Sequence, residues 1–148
     1  MTRDEIMALR PGREMDRLVA IHGLGWRWVS QTVGDRSWAT FLPPIMMMGL
    51  KPEHLATHAS MTEPSGVELH DGNYLSEPST DHAAAMEALE EFMTKLPSLT
   101  TATIYFAANP HGVVIWSHAE ADSANIPGLP GLAFAISRAI LLAAKGGE

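Results

Sequence analysis

The chain has 148 residues, which fits one domain able to bury a hydrophobic core without disulfides. Hydrophobic residues make up 46% of the sequence and charged residues 18%, values typical of a globular protein. The sequence contains no cysteine, which excludes disulfides, thiolate zinc sites and cysteine nucleophiles. The net charge of −7 excludes a protein that coats nucleic acid through its overall charge.

Charge is distributed unevenly along the sequence. Residues 1–36 contain six arginines and five acidic residues, whereas residues 37–148 contain four basic and twelve acidic residues. This distribution is typical of an ordinary solvated surface. It also fits a local arginine cluster for a small anion, because the planar guanidinium group matches pairs of phosphate or carboxylate oxygens. No apolar run approaches the length of a signal peptide or a membrane span, so we expect a cytoplasmic protein with no membrane partner.

The N-terminal segment predicts two helices. Residues 3–9 fit a short helix that ends before Arg10-Pro11-Gly12. Residues 12–22 place their apolar side chains at helical spacing, and Pro11 suits the first position of a helix. Gly23 and Gly25 follow, and glycine commonly ends helices.

Residues 26–42 predict a β-hairpin. Two segments rich in aromatic and β-branched residues flank Gly34-Asp35, which matches a two-residue turn with glycine first. This turn places Trp28 opposite Phe41 and Gln31 opposite Trp38. One face of the hairpin then carries Trp26, Trp28, Ala39 and Phe41, and the other carries Val29, Val33, Trp38 and Leu42. Because neither face is plainly polar, we expect both to be at least partly covered.

Residues 43–79 show the least regular pattern, with a helical turn predicted near 52–59 and a strand near 67–70. His54 and His58 have the spacing of two metal ligands on one helix face, with His70, Asp71 or Glu53 available as a third ligand. The same spacing is common on ordinary surface helices, and no zinc-protease pattern accompanies it. We therefore predict no metal site.

The C-terminal half predicts a helix, a second hairpin and a final helix. Ser79-Thr80-Asp81 is a strong helix start, with a hydroxyl cap, and the helix extends to about Leu96. Residues 99–108 and 112–119 predict the two strands of the hairpin, and residues 120–131 predict a loop. The last helix extends from about 131 to 145.

This element order favours an α+β fold in which one antiparallel sheet, built from the two hairpins, lies between helices as a three-layer α/β/α sandwich. Apolar residues on both faces of each hairpin are the basis of this prediction. We expect one domain over residues 1–148 with an irregular insertion at about 43–78.

Three segments resemble the phage ABA-sandwich domain family, which occurs in small proteins of tailed phages and prophages. They are residues 11–26, residues 79–85 and residues 132–141. Residues 43–78 lie outside the resemblance, and Met86 stands where the family commonly has an aromatic residue. The resemblance implies helices on both faces of a sheet and a protein acting in the cytoplasm of a bacterial host. It implies no established reaction.

Seven side chains form the candidate ligand-binding site: Arg13, Asp16, Trp26, Tyr74, Ser79, Thr80 and Asp81. We hypothesise that these polar and aromatic groups approach one another in the fold. Such a pocket would combine aromatic stacking, arginine charge and helix-start amides, and would bind a small anion or nucleotide. The alternative is structural, with the same groups tying helix ends to the sheet through buried hydrogen bonds.

The sequence contains no nucleophile elbow, phosphate loop or dinucleotide fingerprint, so we predict no catalytic residue and no cofactor. The favoured function is binding, either of a small host anion or nucleotide signal or of a host protein. Self-association through exposed tryptophans and methionines is one alternative, with a homo-oligomer as its product. A small hydrolase or nucleotide-processing enzyme is the other, using acids and histidines of residues 53–82, with His82 as a general base.

Overall fold

A computed structural model describes residues 1–47, 59–70, 75–96, 100–105, 111–117, 120–129 and 131–146. The described residues form an α+β protein with five α-helices, as the sequence predicts at this level. The chain divides into two compact units, which we call the helical unit (Met1–Gly23 with Ser76–Glu148) and the hairpin unit (Leu24–Leu75). That these units form a single domain stays a prediction.

The helical unit begins with helix α1 (Arg3–Ala8) and helix α2 (Arg13–Leu18). The backbone N–H of Glu5 donates to Oγ1 of Thr2 at 3.2 Å, which satisfies a free amide at the start of α1. Both predicted helices are confirmed, but the second continues from α2 as a π-helical turn over Val19–Gly23.

The long C-terminal helix, α5 (Leu132–Gly146), is the centre of the helical unit. All its residues from 133 to 143 are buried, whereas the sequence predicts only an apolar stripe on one side. A Cβ atom added to Gly23 would lie 2.5 Å from Cγ2 of Ile140, so the π-helical turn approaches α5 at a position that only glycine fits.

Helix α4 (His82–Met93) packs against α5. Its N-cap is Asp81, whose Oδ1 accepts from the backbone N–H of Ala84 at 2.7 Å. The predicted hydroxyl cap is wrong, because a carboxylate fills that position. The helix starts where the sequence predicts and ends a few residues earlier than Leu96.

Three strands complete the helical unit: β5 (Thr101–Tyr105), β6 (His111–Ser117) and β7 (Glu120–Leu129). They form an antiparallel sheet in the order β5-β6-β7, and α5 packs against β6 and β7. The predicted second hairpin is confirmed as the β5–β6 pair. The loop predicted over 120–131 is wrong, because most of it is strand β7. An edge strand tolerates Pro127, since one side of its backbone needs no partner.

The hairpin unit contains strands β1 (Arg27–Val33) and β2 (Arg36–Leu42). Trp28 pairs with Phe41 and Gln31 with Trp38, so the predicted register is confirmed. Gly34 has a φ of +62°, a left-handed conformation that glycine adopts without strain. The turn therefore fixes the register as the sequence indicates.

Two short strands and one short helix complete the hairpin unit. Strand β3 (Ala59–Ser60) pairs with β1, and β4 (Glu68–His70) pairs in parallel with β2, giving the order β3-β1-β2-β4. Helix α3 is Pro44–Met47. The strand predicted near 67–70 is confirmed. The helical turn predicted near 52–59 lies outside the described residues except for Ala59, which begins β3.

The prediction of one antiparallel sheet built from both hairpins is wrong. The β1–β2 hairpin belongs to a mixed four-stranded sheet, and the β5–β6 hairpin belongs to a separate three-stranded sheet. Local patterns determine how consecutive strands pair across a turn, but they do not specify which distant strand pairs at the outer edge. Among the described helices, none combines the length and apolar character that crossing a membrane requires.

Candidate functional site

In the helical unit, hydrogen bonds join Gly12, Asp16 and Ser79. We call this network the polar link. The backbone N–H of Ser79 donates to Oδ1 of Asp16 at 2.8 Å. The backbone N–H of Gly12 donates to Oγ of Ser79 at 2.9 Å, and this hydroxyl donates to the Gly12 carbonyl at 3.3 Å. These bonds connect the start of α2 to the segment before α4, between residues that are 63 or 67 positions apart in the sequence.

Asp16 is only 3% exposed, so its carboxyl group depends on the polar link for its hydrogen bonds. Burial is the largest influence on this group, and it raises the pKa of Asp16. Hydrogen bonds from Ser79 and the charge of Arg13 lower the pKa, whereas the charge of Glu77 raises it. The net result is a carboxyl group that holds its proton more tightly than an exposed aspartate does.

Thr80 and Asp81 follow Ser79 but lie outside the polar link. Both are exposed. Asp81 caps α4 through its hydrogen bond from Ala84. The backbone N–H groups of Thr80 and Asp81 donate to the Glu77 carbonyl at 3.1 and 2.9 Å, which forms the turn before the helix. Their described contacts are therefore those of a helix start.

Trp26 belongs to the hairpin unit, where it forms an aromatic cluster with Trp28 and Phe41. The ring centroid of Phe41 lies 5.2 Å from that of Trp26 and 5.0 Å from that of Trp28. All three side chains are buried. Tyr74, the remaining aromatic member of the predicted site, lies outside the described residues.

The structure thus brings Asp16 and Ser79 into direct contact, with Arg13 close enough to influence the Asp16 carboxyl group. Their hydrogen bonds join the start of α2 to the segment before α4, whereas the structural alternative predicts bonds between helix ends and the sheet. The carboxylates of Asp16 and Glu77 also make the polar link itself unfavourable for an anion.

A surface pocket of about 380 Å³ lies beside the polar link, lined by residues 8–14. Arg10, Arg13 and Glu14 are its charged lining residues, and all three are exposed. The lining residues include two guanidinium groups and one carboxylate, so together they carry a net positive charge. The whole chain, in contrast, has a net charge of −7. Arg13 is therefore shared between the predicted site and a pocket with the chemistry of an anion site.

Arg138 supports this pocket from α5, and the sequence reasoning missed it. Its Nη2 atom donates to the carbonyls of Met7 at 2.8 Å and Leu9 at 3.0 Å. Its guanidinium carbon lies 4.3 Å from the centroid of the Phe134 ring. The side chain is only 6% exposed, and burial lowers its pKa. The signal in the sequence is a single charged residue within the apolar run from 132 to 144.

The histidines considered as ligands or bases do not form a cluster where they are described. His54 and His58 lie outside the described residues. Nε2 of His70 lies 3.4 Å from Oε1 of Glu68, at the exposed edge strand β4. His82 is exposed at the first position of α4. Within the described ranges, no group of three His, Cys, Asp or Glu side chains is arranged to bind a metal ion.

The comparisons with known proteins give no match. No protein family, no curated protein and no solved structure is similar to the chain at a significant level.

Proposed function

We propose that this protein acts by binding a small anion or nucleotide at the pocket formed by residues 8–14. The observation that carries the proposal is the pair of exposed guanidinium groups, Arg10 and Arg13, on the wall of a pocket of about 380 Å³. Small-molecule sites generally have volumes of about 300 to 1,000 Å³, so a mononucleotide is of suitable size.

The backbone around this pocket is fixed from two sides. Arg138 binds the carbonyls of Met7 and Leu9 on one side, and Ser79 binds the backbone of Gly12 on the other. A rigid frame favours binding, because less conformational freedom is lost when a ligand is placed against it. The polar link would then be a support for the site, and its residues would not touch the ligand.

The biological setting follows the family resemblance. We propose a phage or prophage accessory protein that sequesters a host nucleotide signal or a comparable anion in the bacterial cytoplasm, or that binds a host protein. Local arginines allow such a role in an acidic chain, because screening limits the reach of distant surface charges to about 8–10 Å at physiological salt.

Calorimetric titration tests the anion site, with inorganic phosphate, AMP, ADP and a cyclic dinucleotide as probes. We expect at least one nucleotide to bind, and Arg10→Ala to weaken it by about tenfold or more, since hydrogen bonds to charged groups contribute about 1.5–3 kcal/mol. Arg13→Lys keeps the charge but removes the paired donors, so it should also weaken binding.

Arg3→Ala is the matched control, since Arg3 is exposed in α1 and does not line the pocket. It removes the same charge and should leave the affinity within about twofold, given the screening of surface charges. Equal losses in Arg3→Ala and Arg10→Ala would show general electrostatic attraction in place of a site. The absence of binding by every probe would contradict the proposal.

A second candidate function is self-association through the hairpin unit. Ile45 is 76% exposed and Met46 is 43% exposed, next to each other in α3. Trp26 and Trp28 are buried, so an associating surface would consist of these aliphatic and thioether side chains. Light scattering should then show an oligomer without added ligand, and Ile45→Asp should return it to a monomer.

We also propose the finer architecture implied by the resemblance, with helices covering both faces of a sheet in three layers. The packing of α5 against β6 and β7 supports one such helix-on-sheet layer. An experimental structure with a sheet face open to solvent would contradict it.

A further inference from the structure

A second pocket in the helical unit shares no residue with the pocket at residues 8–14. It lies between the C-terminal half of α4 and the start of β5, and its volume is about 560 Å³. Leu89, Met93 and Ala102 form its apolar wall. Leu89 is buried, while Met93 and Ala102 are half-buried. A molecule in this pocket would cover apolar surface that now contacts water, which favours an apolar occupant.

Thr100 lines the same pocket and provides its unusual polar feature. Its Oγ1 atom is shielded from solvent and has no hydrogen-bond partner in the described part of the chain. A buried hydroxyl without a partner costs free energy, and such groups are rare in folded proteins. Because Oγ1 is shielded in the conformation described, a ligand would meet this hydroxyl only after rotation about the Cα–Cβ bond brings it to another staggered position.

The charge of the pocket restricts its occupant. Glu90 is its charged lining residue among the described residues, and it is exposed. The neighbouring Glu91 carboxylate lies 3.9 Å from Nζ of Lys95, so that lysine is already engaged. A carboxylate in the wall repels an anion and leaves a neutral molecule unaffected.

We propose that this pocket binds a small, uncharged, mainly apolar molecule whose one polar group forms a hydrogen bond with the Thr100 hydroxyl. The pocket volume, the apolar wall, the unpartnered hydroxyl and the Glu90 carboxylate each support one part of that description. The proposal is independent of the anion site, because no residue is common to the two pockets.

Three naphthalene probes of similar shape test the proposal: 2-naphthol, 2-methylnaphthalene and 2-naphthoate. We expect NMR titration of the full chain to show saturable shifts in α4 and at the start of β5. The affinity for 2-naphthol should exceed that for 2-methylnaphthalene by between about twofold and tenfold, the range of a net hydrogen bond. Binding of 2-naphthoate should be weaker than that of 2-naphthol, because Glu90 repels its charge.

Thr100→Val keeps the shape of the side chain and removes the hydroxyl. This variant should bind 2-naphthol and 2-methylnaphthalene equally. Thr62→Val is the matched control, because Thr62 is exposed in the hairpin unit, and the preference for 2-naphthol should survive in it. A preference that survives in Thr100→Val overturns the role of the hydroxyl.

Ala102→Leu places extra apolar volume in the pocket and should weaken all three probes. Glu90→Gln tests the charge of the pocket separately: it changes an exposed side chain and should raise the affinity for 2-naphthoate. Shifts that do not saturate, or that lie away from the residues lining this pocket, overturn the proposal. Neither result depends on whether nucleotides bind at residues 8–14.

Discussion

The polar link of the helical unit and the aromatic cluster of the hairpin unit are both buried, but different forces hold them. In the aromatic cluster, Phe41 lies about equally close to two tryptophan rings, and its contribution comes from apolar area and close packing. In the polar link, the contribution comes from specific hydrogen bonds, at 2.8 Å between Ser79 and Asp16 and at 2.9 and 3.3 Å between Ser79 and Gly12. Side-chain volume therefore matters most in the aromatic cluster, and hydrogen-bond partners matter most in the polar link.

The largest expected effect is the loss of volume in the aromatic cluster. Phe41→Ala should lower the free energy of unfolding by about 3–5 kcal/mol, because the ring is fully buried and its removal leaves a cavity. Urea unfolding followed by tryptophan fluorescence measures this loss in the hairpin unit, which contains all the tryptophans except Trp116.

Val33→Ala is the control in the same hairpin, because Val33 is 69% exposed at its tip. It should change the free energy of unfolding by no more than about 0.5 kcal/mol. Similar losses in Phe41→Ala and Val33→Ala would contradict the view that burial in the cluster stabilises this unit.

A smaller effect is expected when the polar link loses one partner. Asp16→Ala leaves the Ser79 backbone N–H without its acceptor, which should cost about 1–3 kcal/mol of unfolding free energy. Far-UV circular dichroism during urea unfolding measures the change. Glu87→Ala also removes a carboxylate, but from the exposed face of α4, and should have little effect.

Equal stability of Asp16→Ala and the wild type would show that the polar link is not structural. Retained stability together with lost nucleotide binding would instead favour a direct role of Asp16 in the ligand site. The same pair of measurements therefore separates the two hypotheses that the sequence leaves open.

The fold could be predicted from the sequence wherever local chemistry decides the structure. Gly34-Asp35 fixes a two-residue turn, and the turn fixes the register of every pair from Arg27 with Leu42 to Val33 with Arg36. The parallel pairing of β4 with β2 could not be predicted in this way, because no turn connects these strands. Pro127 and Gly128 concealed β7, since both residues are commoner in loops than in strands.

Part of the candidate site could also be predicted, because local chemistry marks polar residues at helix starts. Asp16 and Ser79 stood out as polar groups near helix starts, and the structure brings them together. Gly12 was missed because it joins the polar link through its backbone atoms, which have no signature in a sequence. Arg138 was missed because the contacts that explain its burial come from residues about 130 positions away.

The smallest expected effect is the pH dependence of the polar link. Burial raises the pKa of Asp16 in the folded protein above that in the unfolded chain, whose ordinary aspartate value is about 3.9. The folded state therefore binds this proton more tightly, and the stabilisation is fully present below the unfolded pKa. It is lost as the pH rises through the folded pKa, because ionised Asp16 is then buried.

Asp16→Asn isolates this dependence, because an amide oxygen can still accept from Ser79 but cannot ionise. Urea unfolding of both proteins, from about pH 3.5 upward, gives the difference in their unfolding free energies. With rising pH, the wild type should lose stability relative to Asp16→Asn, by less than the loss caused by Asp16→Ala. Other carboxylates titrate in both proteins and cancel in the difference. A difference that stays constant would show that the hydrogen bonds and the Arg13 charge offset burial at this carboxyl group, and one that favours the wild type as the pH rises would show that they outweigh it.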